Sequence, residues 1–181
     1  DFDEIAVAHG MRNNLEFVQE GSIEMDRGLL VDGFMRTSDK DVYAAGDVVQ
    51  ARELISGEQR IVGIWKNAVK QGACAGKVIA AELAGRDVPS EYELDGSFAM
   101  NTIGVKGILF ISAGTIDLSG DRYTEIEETE DTTLIHIFEN REDGSKRLVG
   151  FNLSCDKDEE GSDAYDLGAM LTMRIEQDCT R

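Results

Sequence analysis

The sequence predicts an α/β fold in its first part, followed by a smaller α+β region. Three observations support this fold class. Short apolar, β-branched runs alternate with turn residues in the first part, a long periodic segment follows them, and alternating apolar and polar segments fill the chain after its only proline. These patterns are typical of buried strands, of a helix and of antiparallel strands, respectively.

Three short strands are predicted in the first part. Glu4 to Ala8 is a buried apolar run, and the Gly10 that follows would permit an abrupt turn. Gly28 to Val31 and Val42 to Ala44 have the same character. The polar segment between the last two predicts an irregular link.

One long helix is predicted over Ile64 to Leu83. Apolar and small residues recur three or four apart at Trp65, Val69, Gly72, Gly76, Ile79 and Leu83. Gly85 suits a left-handed cap, and Pro89 marks a linker over residues 86–93. We therefore expect a domain boundary at this linker.

Five antiparallel strands and a helix are predicted beyond the linker. The strands are expected at Phe98 to Ile103, Gly107 to Ile116, Arg122 to Glu128, Thr132 to Glu139 and Arg147 to Ser154. Asp143-Gly144 can close a hairpin before the last strand, and the spacing of Leu167, Leu171 and Ile175 predicts a helix over Ala164 to Ile175.

Composition narrows the possible partners. The chain has 181 residues and a formal net charge of −18, which disfavours binding to nucleic acid. No apolar run approaches the roughly 20 residues of a membrane-spanning helix, and no signal peptide is recognised, so we expect a cytoplasmic protein without a membrane partner. Cys74, Cys155 and Cys179 lie far apart without CxxC spacing, which predicts free, reduced thiols.

The most informative stretch is TSDKDVYAAGDV at residues 37–48. A buried strand is predicted to end in Ala45-Gly46-Asp47, at a sheet edge of the kind where α/β proteins bind ligands. Gly46 carries no side chain that would block close approach, and the Asp47 carboxylate can accept hydrogen bonds from sugar or ribitol hydroxyls. A ligand with a polyol is therefore expected at this turn.

The pattern T-x(4)-V-Y-A-x-G-D in this stretch resembles the second FAD fingerprint of the pyridine nucleotide-disulphide oxidoreductases. Upstream, AVAHGMRNNLEF resembles the segment that closes the NAD(P)H domain of that family, and GLLVDGFMRTS is similar to its return into the FAD domain. Downstream, WKNAVKQGACAGKVIAAELAG resembles the helix that follows. The likeness is to the branch of NADH oxidases, coenzyme A-disulphide reductases, rubredoxin reductases and nitrite reductase flavoproteins.

The resemblance implies a set of cofactor-binding residues. They are Ala45, Gly46, Asp47, Val48, Trp65, Lys66 and Asn67. Asp47 would bind the ribitol of FAD, Gly46 would allow the close approach, and the Val48 amide would face the pyrophosphate. The first helical turn would direct its amides at the flavin pyrimidine ring. The implied chemistry is electron transfer from NAD(P)H through FAD to a disulphide, oxygen or protein acceptor.

The resemblance also implies a domain organisation. Residues 1–10 would be a remnant of the NAD(P)H-binding domain, residues 11–92 the carboxyl-terminal segment of a three-layer FAD-binding domain, and residues 95–181 an α+β terminal domain of the kind used for dimerisation. The glycine-rich fingerprints of both nucleotide sites are absent from the sequence. We therefore expect the missing FAD and NAD(P)H domains as partners, a homodimer, and weak or no FAD binding and no activity by this chain alone.

Two alternatives stay open. The chain could be a non-catalytic interaction module that pairs two copies through its terminal sheet, with acidic faces that tune association. It could also belong to a domain that binds another nucleotide.

The remaining motifs are interpreted as structural. GACAGK at residues 72–77 lacks the spacing of a phosphate loop and indicates close helix packing. The acidic loop that begins at Asp156 lacks the glutamate that a calcium loop needs at position twelve. His9 and His136 have no second ligand nearby in sequence. Trp65 is expected either in the core or beside the flavin.

Overall fold

The computed structural model describes residues 3–7, 10, 12–156 and 161–180. The first region contains β1 (Leu29–Leu30), β2 (Val49–Arg52), β3 (Gln59–Arg60) and the long helix α1 (Trp65–Leu83). β2 pairs in parallel with β1 and antiparallel with β3. One turn of 3₁₀ helix at Ser90–Tyr92 follows α1.

The terminal region is a five-stranded antiparallel sheet covered by a helix. Its strands are β4 (Met100–Val105), β5 (Ile108–Gly114), β6 (Arg122–Glu128), β7 (Thr132–Asn140) and β8 (Lys146–Asp156), and its helix is α2 (Gly161–Thr180). The strand order is β4-β5-β8-β7-β6. The predicted strands and their antiparallel pairing are confirmed, and the predicted helix is confirmed but is longer at both ends.

The terminal core lies between the sheet and α2. Leu148, Val149 and Ile175 are fully buried in it. Gly150 is required at its position, because a Cβ there would lie 2.2 Å from the Thr115 carbonyl oxygen. Asp143-Gly144 closes the predicted hairpin between β7 and β8, with Gly144 in the left-handed region at a φ of 80°.

The predicted strand over Glu4 to Ala8 is wrong for the residues that the structure describes there. Residues 4–7 form no strand, and Ile5 and Val7 are 89% and 74% exposed. Ala8, like His9, lies outside the described residues. An apolar run indicates a strand only where a neighbouring strand offers hydrogen bonds, and the described part of the chain supplies none here.

The predicted strand over Val42 to Ala44 is also wrong as a regular strand. It folds back on the preceding link through a single bridge between Tyr43 and Arg36. The Ala44 amide donates to the Met35 carbonyl at 3.2 Å, and this hydrogen bond holds the segment against the preceding link. Ala44 is buried as expected, but the regular strand β2 begins only after the following turn.

Helix α1 is confirmed, beginning one residue after its predicted start and ending at the predicted Leu83, yet its buried face is not the predicted one. Trp65 and Leu83, at the two ends of the predicted stripe, are 84% and 85% exposed. The buried positions are Asn67, Gln71, Cys74, Ala75, Val78 and Ala81. Gly85 caps the helix as predicted, with a φ of 63° and its amide donating to the Glu82 carbonyl.

The two regions share contacts beyond the linker. Leu54 and Ile55, just after β2, are buried in the hydrophobic core of the terminal region. The Leu54 amide donates to the Ser97 carbonyl at 2.9 Å, and Lys70 of α1 pairs with Glu176 of α2 at 2.8 Å. Across the described residues, neither helix is long and apolar enough to cross a membrane.

Candidate functional site

The site predicted from the sequence centres on a tight turn formed by Gly46, Asp47 and Val48. Gly46 adopts a φ of 87°, in the left-handed region that glycine tolerates and most side chains do not. The Val49 amide closes the turn by donating to the Gly46 carbonyl at 3.0 Å. The Val48 carbonyl accepts from the Leu29 amide of β1 at 2.9 Å, which ties the turn to the sheet.

The position of this turn in the sheet differs from the prediction. The turn lies at the amino end of β2, and no regular strand of the described chain ends at Gly46. The strand-like segment before it is held to the preceding link by the bridge of Tyr43 and by the Thr37 hydroxyl, which donates to the Val42 carbonyl at 2.9 Å. The glycine and the carboxylate are nevertheless placed on one turn, as the motif predicted.

The amino terminus of α1 lies directly beside the turn. A Cβ built on Gly46 would be 3.6 Å from the Cβ of Ala68, and one built on Gly63 would be 3.3 Å from the Asp47 carboxyl carbon. The helix begins after Ile64 without a side-chain cap and has no acidic residue in its first turn. Its first amides are therefore available to a partially negative ligand atom.

The Asp47 side chain is exposed and accepts no hydrogen bond within the described residues. Its backbone carbonyl accepts from Asn13 Nδ2 at 2.8 Å, so the turn is held while the carboxylate stays available. A carboxylate of this kind can accept hydrogen bonds from a polyol. The glycine, the carboxylate and the uncapped helix fit a flavin nucleotide bound at this edge.

The other predicted site residues lie in the same place with different environments. Trp65 and Lys66 project from the first turn of α1 into solvent. Trp65 was expected either in the core or beside the flavin, and it does not lie in the core of the described chain. Asn67 is buried, and its Nδ2 donates to the Val62 carbonyl at 3.2 Å. Ala45 is half-buried before the turn.

Three features of the site could not be seen in the sequence. Asn13 and Gln71 each hydrogen-bond the turn, although they lie 34 and 25 residues from their partners. Beside the turn lies a cleft of about 1000 Å³ whose walls include three arginines. These are Arg12, Arg27 and Arg60. The spacing of residues along the sequence does not predict these contacts, because Asn13, Gln71 and the three arginines come together only when the chain folds.

The cysteines and His136 have the structural roles expected of them. Cys74, Cys155 and Cys179 are buried, and none of them is in a disulphide. Burial raises the pKa of the Cys74 thiol, which donates to the Tyr92 carbonyl at 3.0 Å, and burial likewise raises the pKa of Cys179. His136 is buried and stacks on Phe138 with ring centroids 5.7 Å apart.

Part of this chain is similar in sequence to known oxidoreductases. The model of a protein family described as pyridine nucleotide-disulphide oxidoreductase matches residues 1–72. The rubredoxin-NAD(+) reductase of Pseudomonas putida is 35% identical over 49% of this chain, which corresponds to 22% of that protein.

Solved structures extend the similarity over nearly the whole chain. The NADH:rubredoxin oxidoreductase of Clostridium acetobutylicum superposes with a TM-score of 0.61 at 27% identity, covering 94% of this chain and 38% of that one. An FAD-dependent pyridine nucleotide-disulphide oxidoreductase of Desulfovibrio vulgaris superposes with a TM-score of 0.71 at 22% identity, covering 92% of this chain and 41% of that one. The chain thus spans less than half the length of each of these three proteins.

Proposed function

We propose that this chain belongs to a pyridine nucleotide-disulphide oxidoreductase, as the sequence predicted, and that it supplies one edge of the FAD site of an NAD(P)H-dependent flavoprotein. The observation that carries the proposal is the contact between the Gly46–Val48 turn and the uncapped amino terminus of α1. Gly46 lies next to Ala68 of α1, and the Asp47 carboxylate lies beside Gly63, just before the helix begins.

Each part of the site has a distinct task in this proposal. Asp47 accepts hydrogen bonds from the ribitol hydroxyls, and Gly46 leaves room for the chain of the cofactor. The amides at Trp65, Lys66 and Asn67 stabilise negative charge on the pyrimidine side of the ring system. FAD, when bound, supplies the redox chemistry that takes electrons from NAD(P)H to a disulphide, oxygen or protein acceptor.

In this proposal, the remaining parts of the FAD site and of the NAD(P)H site belong to further domains, outside residues 11–92 and 95–181. The exposed stripe of α1 supports this assignment. Trp65, Val69 and Leu83 are exposed, and a Cβ on Gly72 or Gly76 would meet nothing within 4 Å. Such a small, apolar helix face suits close packing against a further element of the fold. We place the whole assembly in the cytoplasm.

The proposal is tested by titrating the isotopically labelled chain with FAD and following its amide resonances. We expect weak binding, with shifts concentrated at residues 46–48 and 65–67. Asp47→Ala should reduce these shifts, whereas Asp41→Ala, which removes the same charge from a nearby exposed position, should not. Shifts confined to the terminal sheet, or shifts at the turn that survive Asp47→Ala, would contradict the proposal.

A comparison of FMN with ADP-ribose separates the flavin assignment from another nucleotide. FMN carries the ribitol and ADP-ribose does not, so we expect FMN to perturb Asp47 more strongly. If ADP-ribose alone perturbed residues 46–48 as strongly as FAD, a different nucleotide ligand would be favoured.

A second candidate function is self-association through the terminal sheet. The face of β4 and β5 opposite α2 carries Ile103, Val105, Ile108 and Phe110, each between 44% and 54% exposed. Ile103 pairs with Phe110 and Val105 with Ile108, so the four side chains form one apolar patch. We propose that a homodimer covers this patch.

Sedimentation of the full chain tests this second function. We expect a dimer that Phe110→Glu converts to a monomer, while Tyr165→Glu on the exposed side of α2 leaves the dimer intact. A wild-type chain that stays monomeric at high concentration would remove the self-association proposal.

A further inference from the structure

Gln71 links the Gly46 turn to the second turn of α1. Its side chain is 6% exposed, and its Oε1 accepts a hydrogen bond from the Gly46 amide at 2.8 Å. Gly46 lies outside every sheet ladder of the described chain, so its amide depends on this side chain for a partner. The bond therefore fixes the turn relative to the helix.

A second side-chain amide also holds the turn. Asn13 Nδ2 donates to the Asp47 carbonyl at 2.8 Å, while Gln71 binds the preceding residue. Within the described residues, one side-chain donor and one side-chain acceptor from distant parts of the chain thus hold the turn, in addition to the backbone bond from Leu29. Neither bond uses the Asp47 carboxylate, which keeps its acceptor positions for a ligand.

The loop that leads into α1 is held in a similar way. Asn67, one turn before Gln71 on the same buried face, donates to the Val62 carbonyl at 3.2 Å. Gln71 therefore holds the Gly46 turn, and Asn67 holds the loop before the helix, against the same face of α1. Two elements that contact one ligand must keep their separation to within about 0.5 Å for both contacts to form.

We infer that Gln71 is a positioning residue for the flavin nucleotide: it sets the distance between the Asp47 turn and the amino-terminal amides of α1 through its bond to the Gly46 amide. The inference rests on the proposed FAD site. Its distinguishing feature is the acceptor oxygen, since a residue needed only for packing would be replaced equally well by any side chain of the same length.

The test compares two variants of similar shape in the full chain. Gln71→Met keeps the length and removes the acceptor, whereas Gln71→Glu keeps both. Ala80→Met, at an exposed position on the same helix, is the control for a methionine in α1. Circular dichroism and melting curves establish that all four proteins are folded at the temperature of the experiment.

The first readout is the Gly46 amide itself. We expect its resonance to shift and its hydrogen exchange to quicken in Gln71→Met, with wild-type behaviour in Gln71→Glu and Ala80→Met. The second readout is the FAD titration, in which loss of one hydrogen bond should weaken binding by roughly 3- to 10-fold in Gln71→Met alone. Recovery by Gln71→Glu is the signature that a packing role would not produce.

Two results would overturn the inference. Equal FAD binding by Gln71→Met and wild type would show that the bond does not position the site, and equal weakening in Gln71→Met and Gln71→Glu would assign the effect to packing. If the wild-type turn gave no response to FAD, the proposed function would fall, and the positioning role with it. The exchange of the Gly46 amide would then still report whether Gln71 holds the turn.

Discussion

The two regions of this chain differ in how much of their hydrogen bonding and burial they satisfy internally. The terminal region pairs five strands of six to eleven residues and covers one face with α2. The first region has strands of two, four and two residues, and it leaves much of the apolar stripe of α1 exposed. The candidate FAD site lies entirely in the less complete region.

This difference indicates which region contributes most of the stability of the chain. A sheet with long ladders and a covered face gains stability from many buried side chains, whereas short strands beside an exposed helix gain little. The first region is nonetheless anchored, because Leu54 and Ile55 insert into the terminal core. We expect the terminal region to support the fold on which the turn of the candidate site depends.

The largest expected effect is in the terminal core. Leu148 is fully buried beneath α2, so Leu148→Ala should lower the free energy of unfolding by about 4 kcal/mol. Leu83→Ala, at an exposed position of α1, should change it by less than about 0.5 kcal/mol. Urea denaturation followed by circular dichroism measures both, and a small loss for Leu148→Ala would contradict the view that stability is concentrated there.

The anchor between the regions comes next. Leu54→Ala should lower the free energy of unfolding by about 2.5 kcal/mol, because Leu54 is buried in the terminal core although it follows β2. Hydrogen exchange should also quicken in β2, which precedes Leu54 in the chain. Unchanged protection of β2 in this variant would mean that the first region folds without the anchor.

A smaller effect is expected from the ion pairs of Glu139. Burial alone would raise its pKa, but hydrogen bonds and charge from Arg147 and Arg122 lower it below the ordinary value of 4.5. A carboxyl whose pKa is lower in the folded state stabilises the protein at neutral pH, and this contribution disappears as the pH falls through the folded pKa. Glu139→Gln should therefore lower the free energy of unfolding by about 1.5 kcal/mol at neutral pH.

The pH profile identifies this contribution. The difference in stability between wild type and Glu139→Gln should shrink as the pH is lowered below 4.5. Glu130→Gln, at an exposed position in the acidic run, should show no such change. A difference that persisted in acid would assign the loss to packing instead of charge.

The smallest expected effect is at the contact between the two helices. Lys70 and Glu176 are both partly exposed, so a double-mutant cycle with alanine should give a coupling of about 0.5 kcal/mol. The coupling should fall as salt is added. A salt-independent coupling would indicate that the pair acts through the packing of α1 against the terminal region.

The terminal region was predictable from the sequence because its signals are local. Alternation over seven or more residues identifies strands such as β6 and β7, and Asp143-Gly144 identifies the hairpin that follows β7. The first region was less predictable, since the apolar runs at residues 4–7 and 42–44 do not form regular strands. Strand formation there depends on neighbours that local sequence does not reveal.

The candidate site divides in the same way. The motif around Asp47 was visible because its residues are consecutive, and the helix beside it was visible from its spacing. Asn13 and Gln71 were not, because a hydrogen bond between distant residues leaves no periodic trace. The buried face of α1 was mistaken because both of its sides carry small residues, so hydrophobic spacing alone could not distinguish them.

The sequence alone was sufficient to predict the order of the elements in the terminal region, the glycine of the turn and the carboxylate that follows it. These depend on backbone sterics and local periodicity, which act between near neighbours. The buried face of α1, the position of the turn relative to β2 and the side-chain amides that hold the turn became known only from the folded chain. Those outcomes depend on contacts between residues far apart in the chain, and such contacts exist only once the chain has folded.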